Sequence, residues 1–339
     1  MVRSSSLSLE QIADPDNLAA ALDRAARGSR SSDAVARYRA NASTELTQLR
    51  RELLSGNPRV GAVTRFQIFD PKPRLVQAPV FRERVLQHAL MAHVGPVLDR
   101  TLVADTFACR VGKGTLAAVR RAQHHSRRFP WFGQLDIRQY FASIDHEVLL
   151  GQLGRLFRDP RVRMLLERIV RAGSTTSRGL PIGSLCSQHF ANFHLNGLDR
   201  GVLQRSPARA LVRYMDDLVC WGATRGEVEQ ALAVAHQVVT ETLHLEFRDR
   251  PAINRVAHGL SFCGFRIWPG ILRALPRRRR RFIAGRHKWE QRYARGEIDG
   301  RQLQRAYDSV AGILAQVDGL AWRRRQLELS PPPPACDEA

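Results

Sequence analysis

Tyr214-Met215-Asp216-Asp217 lies between two apolar runs, Leu211-Val212 before it and Leu218-Val219-Cys220-Trp221 after it. The flanks are rich in β-branched and aromatic residues and read as two strands of a β-hairpin with the acids at its tight turn. Burying paired carboxylates beside apolar strands is costly unless something cationic neutralises them. Divalent metal ions do this, and two-metal sites use such carboxylates to clamp an in-line phosphoryl transfer. Asp is also a common turn residue, so an ordinary Asp-rich turn is the competing reading.

A second acid shifts the balance. Asp136 ends the apolar run Trp131-Phe132-Gly133-Gln134-Leu135, which reads as a buried strand, and Phe141 follows five residues later. A strand with one acid and a hairpin with two resembles the metal-binding core of right-hand nucleic-acid polymerases. Mg2+ prefers hard oxygen ligands and keeps waters and substrate phosphates in its shell, a need met by three carboxylates and a triphosphate. A capping or turn acid is the alternative for Asp136.

The Tyr-Met-Asp-Asp box and the strand Leu135-Asp136-Ile137 resemble those of reverse transcriptases. Three further stretches are similar to the reverse transcriptases of bacterial and phage diversity-generating retroelements. They are Gly179-Leu180-Pro181-Ile182-Gly183-Ser184-Leu185-Cys186-Ser187-Gln188, Phe107-Ala108-Cys109-Arg110 with Gly112-Lys113-Gly114-Thr115, and Phe262-Cys263-Gly264-Phe265-Arg266-Ile267-Trp268-Pro269. The resemblance covers roughly residues 33 to 325, with the motifs in the same order; group II intron and retron enzymes share several of them.

The resemblance implies an α+β right-hand polymerase fold with an antiparallel-sheet palm. Fingers would occupy 33–130 with 158–186, the palm 131–157 and 187–271, and a basic helical thumb 272–328. A flexible segment, 1–32, would precede these, and a disordered Pro-rich tail, 329–339, would follow. It implies RNA-directed DNA synthesis, with Asp136, Ile137, Asp216 and Asp217 around two Mg2+ ions, Mn2+ being able to substitute. Lys72, Arg74, Phe141, Ile182 and Met215 would meet the incoming dNTP, Phe141 acting as the sugar gate against a 2′-hydroxyl. Ile182, with Arg74, would bear on fidelity, since most relatives carry Gln where this chain has Ile182. Arg110, Lys113, Gln188, Tyr214, Gly264 and the run Arg277, Arg278, Arg279, Arg280 and Arg281 would touch template RNA or the cDNA/RNA primer. A small basic accessory protein is the expected partner. A retron, group II intron-like or phage-defence enzyme making a fixed cDNA is one alternative, and a catalytically idle RNA-binding protein is another.

Each residue also has a plainer reading. Lys72 and Arg74 would be exposed turn cations, Phe141 a core aromatic, Ile182 a packing residue and Arg277 to Arg281 a solvated basic face. His124, His125, His189 and His194 lack partners at metal spacing and read as surface or packing residues.

Composition agrees with a polyanionic partner. The 339 residues carry 53 Lys and Arg against 32 Asp and Glu, a formal net charge of +21. Such an excess suggests nucleic acid rather than a membrane surface. No run of about 20 apolar residues marks a transmembrane helix, and Met1 to Ser6 has no apolar stretch of a signal peptide. The five cysteines are widely spaced, with no Cys-x-x-Cys pair, and read as reduced thiols in a cytoplasmic protein.

Local patterns predict hairpins over 63–77, 210–221 and 260–268, strands over 131–136 and 245–249, and a helix over each of 81–94, 188–203 and 226–243. A short helix at 18–26 and a basic helical region over 278–327 complete the expectation.

Overall fold

The computed structural model describes residues 4–28, 32–69, 73–174, 176–312 and 314–331. Its centre is a four-stranded antiparallel sheet. Two peripheral sheets and fifteen α-helices surround it among the described residues.

An outlying ribbon pairs β1 (Val63–Phe69) with β2 (Pro73–Pro79). The central sheet contains β3 (Trp131–Leu135), β4 (Ala210–Tyr214), β5 (Asp217–Gly222) and β6 (Ala252–Arg255), in the order β4-β5-β3-β6. A third sheet joins β7 (Leu260–Phe262), β8 (Phe265–Ile267) and β9 (Leu272–Ala274).

Side chains alternate across a strand, and both faces of the central sheet are covered. Leu135, Leu211, Leu218 and Cys220 enter one core with the surrounding helices. Phe132, Val212, Val219 and Trp221 enter a second core with Phe262, Phe265, Ile267 and Phe282. This explains why Leu211-Val212 of β4 and Leu218-Val219-Cys220-Trp221 of β5 are apolar at successive positions. Gly133 in β3 faces the helix Arg225–Gln237, where a Cβ would stand 2.6 Å from Val228 Cγ1. The missing side chain lets that helix lie against the sheet.

Register places the acids. Leu135 pairs with Leu218 across β3 and β5, and Tyr214 pairs with Asp217 across the hairpin. Asp136, one residue past Leu135, therefore arrives beside the turn holding Asp216 and Asp217.

The expectation of a flexible segment over 1–32 is corrected for residues 4–28. Helices Leu9–Ile12 and Pro15–Ala26 bury Leu9, Ile12, Leu18, Ala21, Ala25 and Ala26 in the main core. Asp14 caps the second helix by accepting from the Asp16 and Asn17 amides, and Pro15 fits its first turn. Asn17 Nδ2 donates to the Ala89 carbonyl at 3.1 Å, tying this helix to the helix Phe81–Asp99. The alanines that made the segment look featureless are the small residues that let two helices approach.

Other differences are local. Residues 245–249 form no strand; Phe247 makes a single bridge to Ile137, and the sheet edge is β6 after Pro251, which has no N–H for a ladder. The helix expected over 188–203 is two, Leu185–His194 and Asn196–Arg205, broken at Leu195. The helix expected over 226–243 ends at Gln237 and continues as a π-helical turn, Val238–Thr242. The basic region is three helices, Pro276–Ala294, Gly300–Ala311 and Leu320–Leu329. Residues 70–72 and 332–339, which hold the first hairpin's turn, Lys72 and most of the Pro-rich tail, lie outside the described residues.

Among the described residues, no helix is long and apolar enough to cross a membrane.

Candidate active site

The β4–β5 turn is two residues long. Met215 holds a left-handed backbone with φ 54°, uncommon for a residue with a Cβ, and Asp216 follows it. Tight hairpin turns need such a conformation to match strand twist. The turn thus throws Asp216 toward Asp136, close enough for each carboxyl group to shift the other's titration.

Three cues mark this cluster as electrostatically strained. Burial raises the Asp136 carboxyl above the ordinary range, although the guanidinium of Arg248 pairs with it and lowers it in part. Burial raises Asp216 too, and the neighbouring Asp136 adds to the shift. Asp217 is pushed up to about 7, again by burial first, even though it accepts hydrogen bonds from Gln134 Nε2 at 2.8 Å and from the Cys263 amide. Carboxylates gathered where their charge is unfavourable are a signature of sites that receive a cation.

Among the described residues no three His, Cys, Asp or Glu side chains converge as a finished metal cage. Asp217 is turned to Gln134, and Asp136 to Arg248. The donor chemistry nonetheless fits a hard divalent ion: the oxygens are carboxylate, and Arg248 already sets a positive charge on Asp136. The Ile137 side chain is fully buried, so only its main chain is available to a cation.

The remaining candidates form two groups. The Leu180 amide donates to the Phe141 carbonyl at 2.7 Å, and the Gln77 amide of β2 donates to the Ile182 carbonyl at 2.8 Å. These bonds bring Phe141, Ile182 and the β1–β2 ribbon together. Phe141 is half-buried, edge-on to Tyr140 with ring centres 5.8 Å apart. Ile182 is exposed, and so is Arg74 on β2.

On the other side, Tyr214 packs against the second core near the β7–β8 turn. Gly264 in that turn has φ 80°, and a Cβ there would stand 2.5 Å from Arg278 Nε. Arg278 donates to the Cys263 carbonyl at 2.9 Å and lies over the Phe265 ring. Arg279 lies over the Trp322 ring, while Arg277, Arg280 and Arg281 are exposed. Gln188 is exposed beside Cys109.

Arg110 and Lys113, expected at the template, are engaged by their own loop. Arg110 Nε donates to Asp99 at 2.6 Å, and its Nη1 donates to the Val103 and Thr106 carbonyls at 2.7 and 3.0 Å. Lys113 donates to the Ala104 carbonyl and sits 4.9 Å from the Phe107 ring centre. Both cations close their own loop, which carries several carbonyls with no ladder to satisfy them.

Sequence reading missed the residues behind the turn. Arg213 in β4 and Asp199 in the helix Asn196–Arg205 are fully buried and joined by two bonds of 2.7 Å. Asn192 and Thr106 complete the network. The available signal was an arginine inside a strand apolar on both faces, since a buried charge is rarely left unpaired. Gln134 and Arg248 carried no comparable signal.

The family model described as reverse transcriptase (RNA-dependent DNA polymerase) matches residues 70–247, more than half of the chain. Protein YkfC of Escherichia coli strain K12 is 25% identical over 275 residues, covering 67% of this chain and 72% of that protein. The group II intron-encoded protein LtrA of Lactococcus lactis subsp. cremoris is 24% identical over 159 residues, covering 43% of this chain and 26% of that protein, so the match spans about a quarter of LtrA. A solved apo telomerase from Candida tropicalis aligns with a TM-score of 0.46 at 9% identity over 64% of this chain and 56% of that one. The family match takes in β3, β4, β5 and the three acids, and on that ground the chain belongs to the reverse transcriptase family, RNA-directed DNA polymerases of α+β right-hand fold.

Proposed function

We propose that the chain copies a template RNA into cDNA for a diversity-generating retroelement, with reduced fidelity, and that Asp136, Asp216 and Asp217 hold its two Mg2+ ions. The observation carrying the catalytic part is the meeting of Asp136 and Asp216 at a half-buried two-residue turn, with all three acids held toward their neutral forms. When bound, divalent ions supply charge neutralisation at the attacking 3′-oxygen and at the leaving pyrophosphate. The chain's own part is to aim the carboxylates, seat the nucleotide and grip the duplex.

In this reading the ribbon β1–β2 and its flanking helices act as fingers, the central sheet as palm, and the helices from Pro276 as thumb. Phe141 lies under the ribose and clashes with a 2′-hydroxyl. Arg74 reaches the triphosphate. Exposed Arg280 and its neighbours track phosphates without reading sequence. Template RNA, a cDNA/RNA primer and dNTPs are the partners, and a small basic protein assists.

Ile182 supports the low-fidelity element. It presents only methyl groups at an exposed position tied to Phe141 and β2. A hydrogen bond nets about 0.5–1.5 kcal/mol, so its lack loosens discrimination by up to roughly tenfold. Sequencing cDNA made by the parent and by Ile182→Gln tests this. The variant should lower errors, most of all opposite template adenine, by roughly two- to tenfold. Equal error spectra would remove Ile182 from fidelity control.

The similarity to LtrA favours a second reading, an intron-like enzyme making one fixed cDNA. A parent error rate uniform and low across template bases would select it.

A further inference from the structure

The guanidinium of Arg213 has five N–H groups, and each has an acceptor. Nε donates to Asp199 Oδ1 at 2.7 Å, and Nη2 donates to Asp199 Oδ2 at 2.7 Å and to the Asn192 carbonyl at 2.9 Å. Nη1 donates to Asn192 Oδ1 at 2.9 Å and to the Met215 carbonyl at 2.9 Å. Four of these bonds fix the guanidinium to two helices behind the sheet, and the fifth reaches the turn that precedes Asp216.

The fixture is itself braced. Thr106 Oγ1 donates to Asp199 Oδ2 at 2.9 Å, and Asn192 Nδ2 donates to the Ala108 carbonyl at 2.7 Å. The Arg213 main chain is held from the same loop: its amide donates to the Asp105 carbonyl, and the Phe107 amide donates to its carbonyl, each at 3.0 Å. A planar fork saturated on every arm has one orientation.

Met215 needs such a hold. Its left-handed backbone is a conformation that L-residues leave when nothing over-determines it. A peptide flip at Met215 would swing Asp216 away from Asp136 without unfolding anything else. A buried ion pair adds little net stability over apolar packing of equal volume, so stability alone does not account for Arg213 at this place.

We propose that Arg213 is a positioning residue for nucleotidyl transfer. Locked by Asp199 and Asn192, it pins the Met215 carbonyl and so sets the rotation of the turn that presents Asp216 to Asp136. This rests on Asp136 and Asp216 being the reacting pair, as proposed above.

The test uses the full-length protein in single-nucleotide extension on an RNA template with a DNA primer. Four variants are compared with the parent: Arg213→Lys, Asn192→Ala, Asp216→Asn and the remote core change Phe157→Leu. Lysine keeps the charge facing Asp199 but lacks the fork that also reaches Met215. Arg213→Lys should lower kcat about tenfold or more, the loss of one charge-assisted hydrogen bond in the reacting geometry, with the dNTP KM within about threefold of the parent. It should also weaken Mn2+ binding measured by electron paramagnetic resonance. Phe157→Leu loses stability yet should keep both kcat and Mn2+ affinity.

If Arg213→Lys behaves like Phe157→Leu, Arg213 is only structural and the proposal is overturned. Should Arg213→Lys not fold, Asn192→Ala decides: it frees one arm of Nη1, and parent-like kcat with parent-like Mn2+ binding overturns the proposal equally. Activity surviving in Asp216→Asn would instead strike the catalytic reading itself, so the two failures are distinguishable.

Discussion

The Gln134 side chain donates to Asp217 at 2.8 Å and also to the Ser261 carbonyl at 3.0 Å, so one amide ties the central sheet to the β7–β8 hairpin and to the Asp217 carboxyl. A neutral amide is the weaker kind of partner for a carboxylate. It leaves Asp217 titrating at about 7, well above the usual range.

The sign of the resulting pH dependence follows by linkage. Between the unfolded value near 4 and about 7, the folded state binds more protons at Asp217 than the unfolded state does. Stability from this group is therefore fully present at low pH and is lost as pH rises through about 7. His194, lowered to about 4 by burial, acts in the opposite sense. The informative quantity is the parent minus Asp217→Asn difference. In urea unfolding without divalent ions, Asp217→Asn should gain on the parent from pH 5 to pH 8. A constant difference would show that Asp217 is ionised throughout.

Asp216→Asn should abolish primer extension while leaving the unfolding midpoint at pH 8 equal to or above the parent's. The amide is isosteric and carries no charge to desolvate. Mg2+ should raise the parent's midpoint more at pH 8 than at pH 5, because ligands must shed protons to bind metal, and should raise the variant's far less. Extension above a few per cent of parent would remove Asp216 from the chemistry.

Phe141→Ala should admit ribonucleotides. The ring is half-buried, so the stability loss should fall below the roughly 3–5 kcal/mol of a full core Phe→Ala change. The readout is the ratio of rNTP to dNTP incorporation efficiency, variant against parent. An unchanged ratio makes Phe141 a core residue alone.

The arginine run should divide by role. Arg280→Gln removes an exposed cation and should flatten the log–log salt dependence of RNA binding by about one unit. Arg278→Gln removes the bond to the Cys263 carbonyl and the contact over Phe265, so it should lower the unfolding midpoint as well. A midpoint equally unchanged in both variants would refute the division.

Much of the centre was legible because the central sheet obeys simple patterns. The runs around Trp131, Leu211 and Leu218 are strands because they are short and apolar, with aromatic or β-branched residues in each, and the acids interrupt them where pairing ends. What escaped depends on partners distant in sequence. Arg213 meets Asp199 only after two helices fold behind β4, and Arg110 turns inward because Asp99 and two loop carbonyls wait there. The alanines of Pro15–Ala26 become core residues only against Phe81–Asp99. Pattern gives the face of an element; it does not give the element it will meet.

The early helices set the order in which this molecule can complete itself. The Ser5 amide donates to the Leu156 carbonyl, and Glu10 pairs with Arg161, 151 residues further along the chain. During synthesis Leu9, Ile12, Leu18 and Leu22 leave the ribosome before the helix Phe81–Asp99 that covers them, and that helix in turn precedes Leu156 and Arg161. Contacts of such sequence separation form late and slow folding. The Ser5 and Glu10 contacts therefore close last, latching a unit already covered by Phe81–Asp99 onto the middle of the protein.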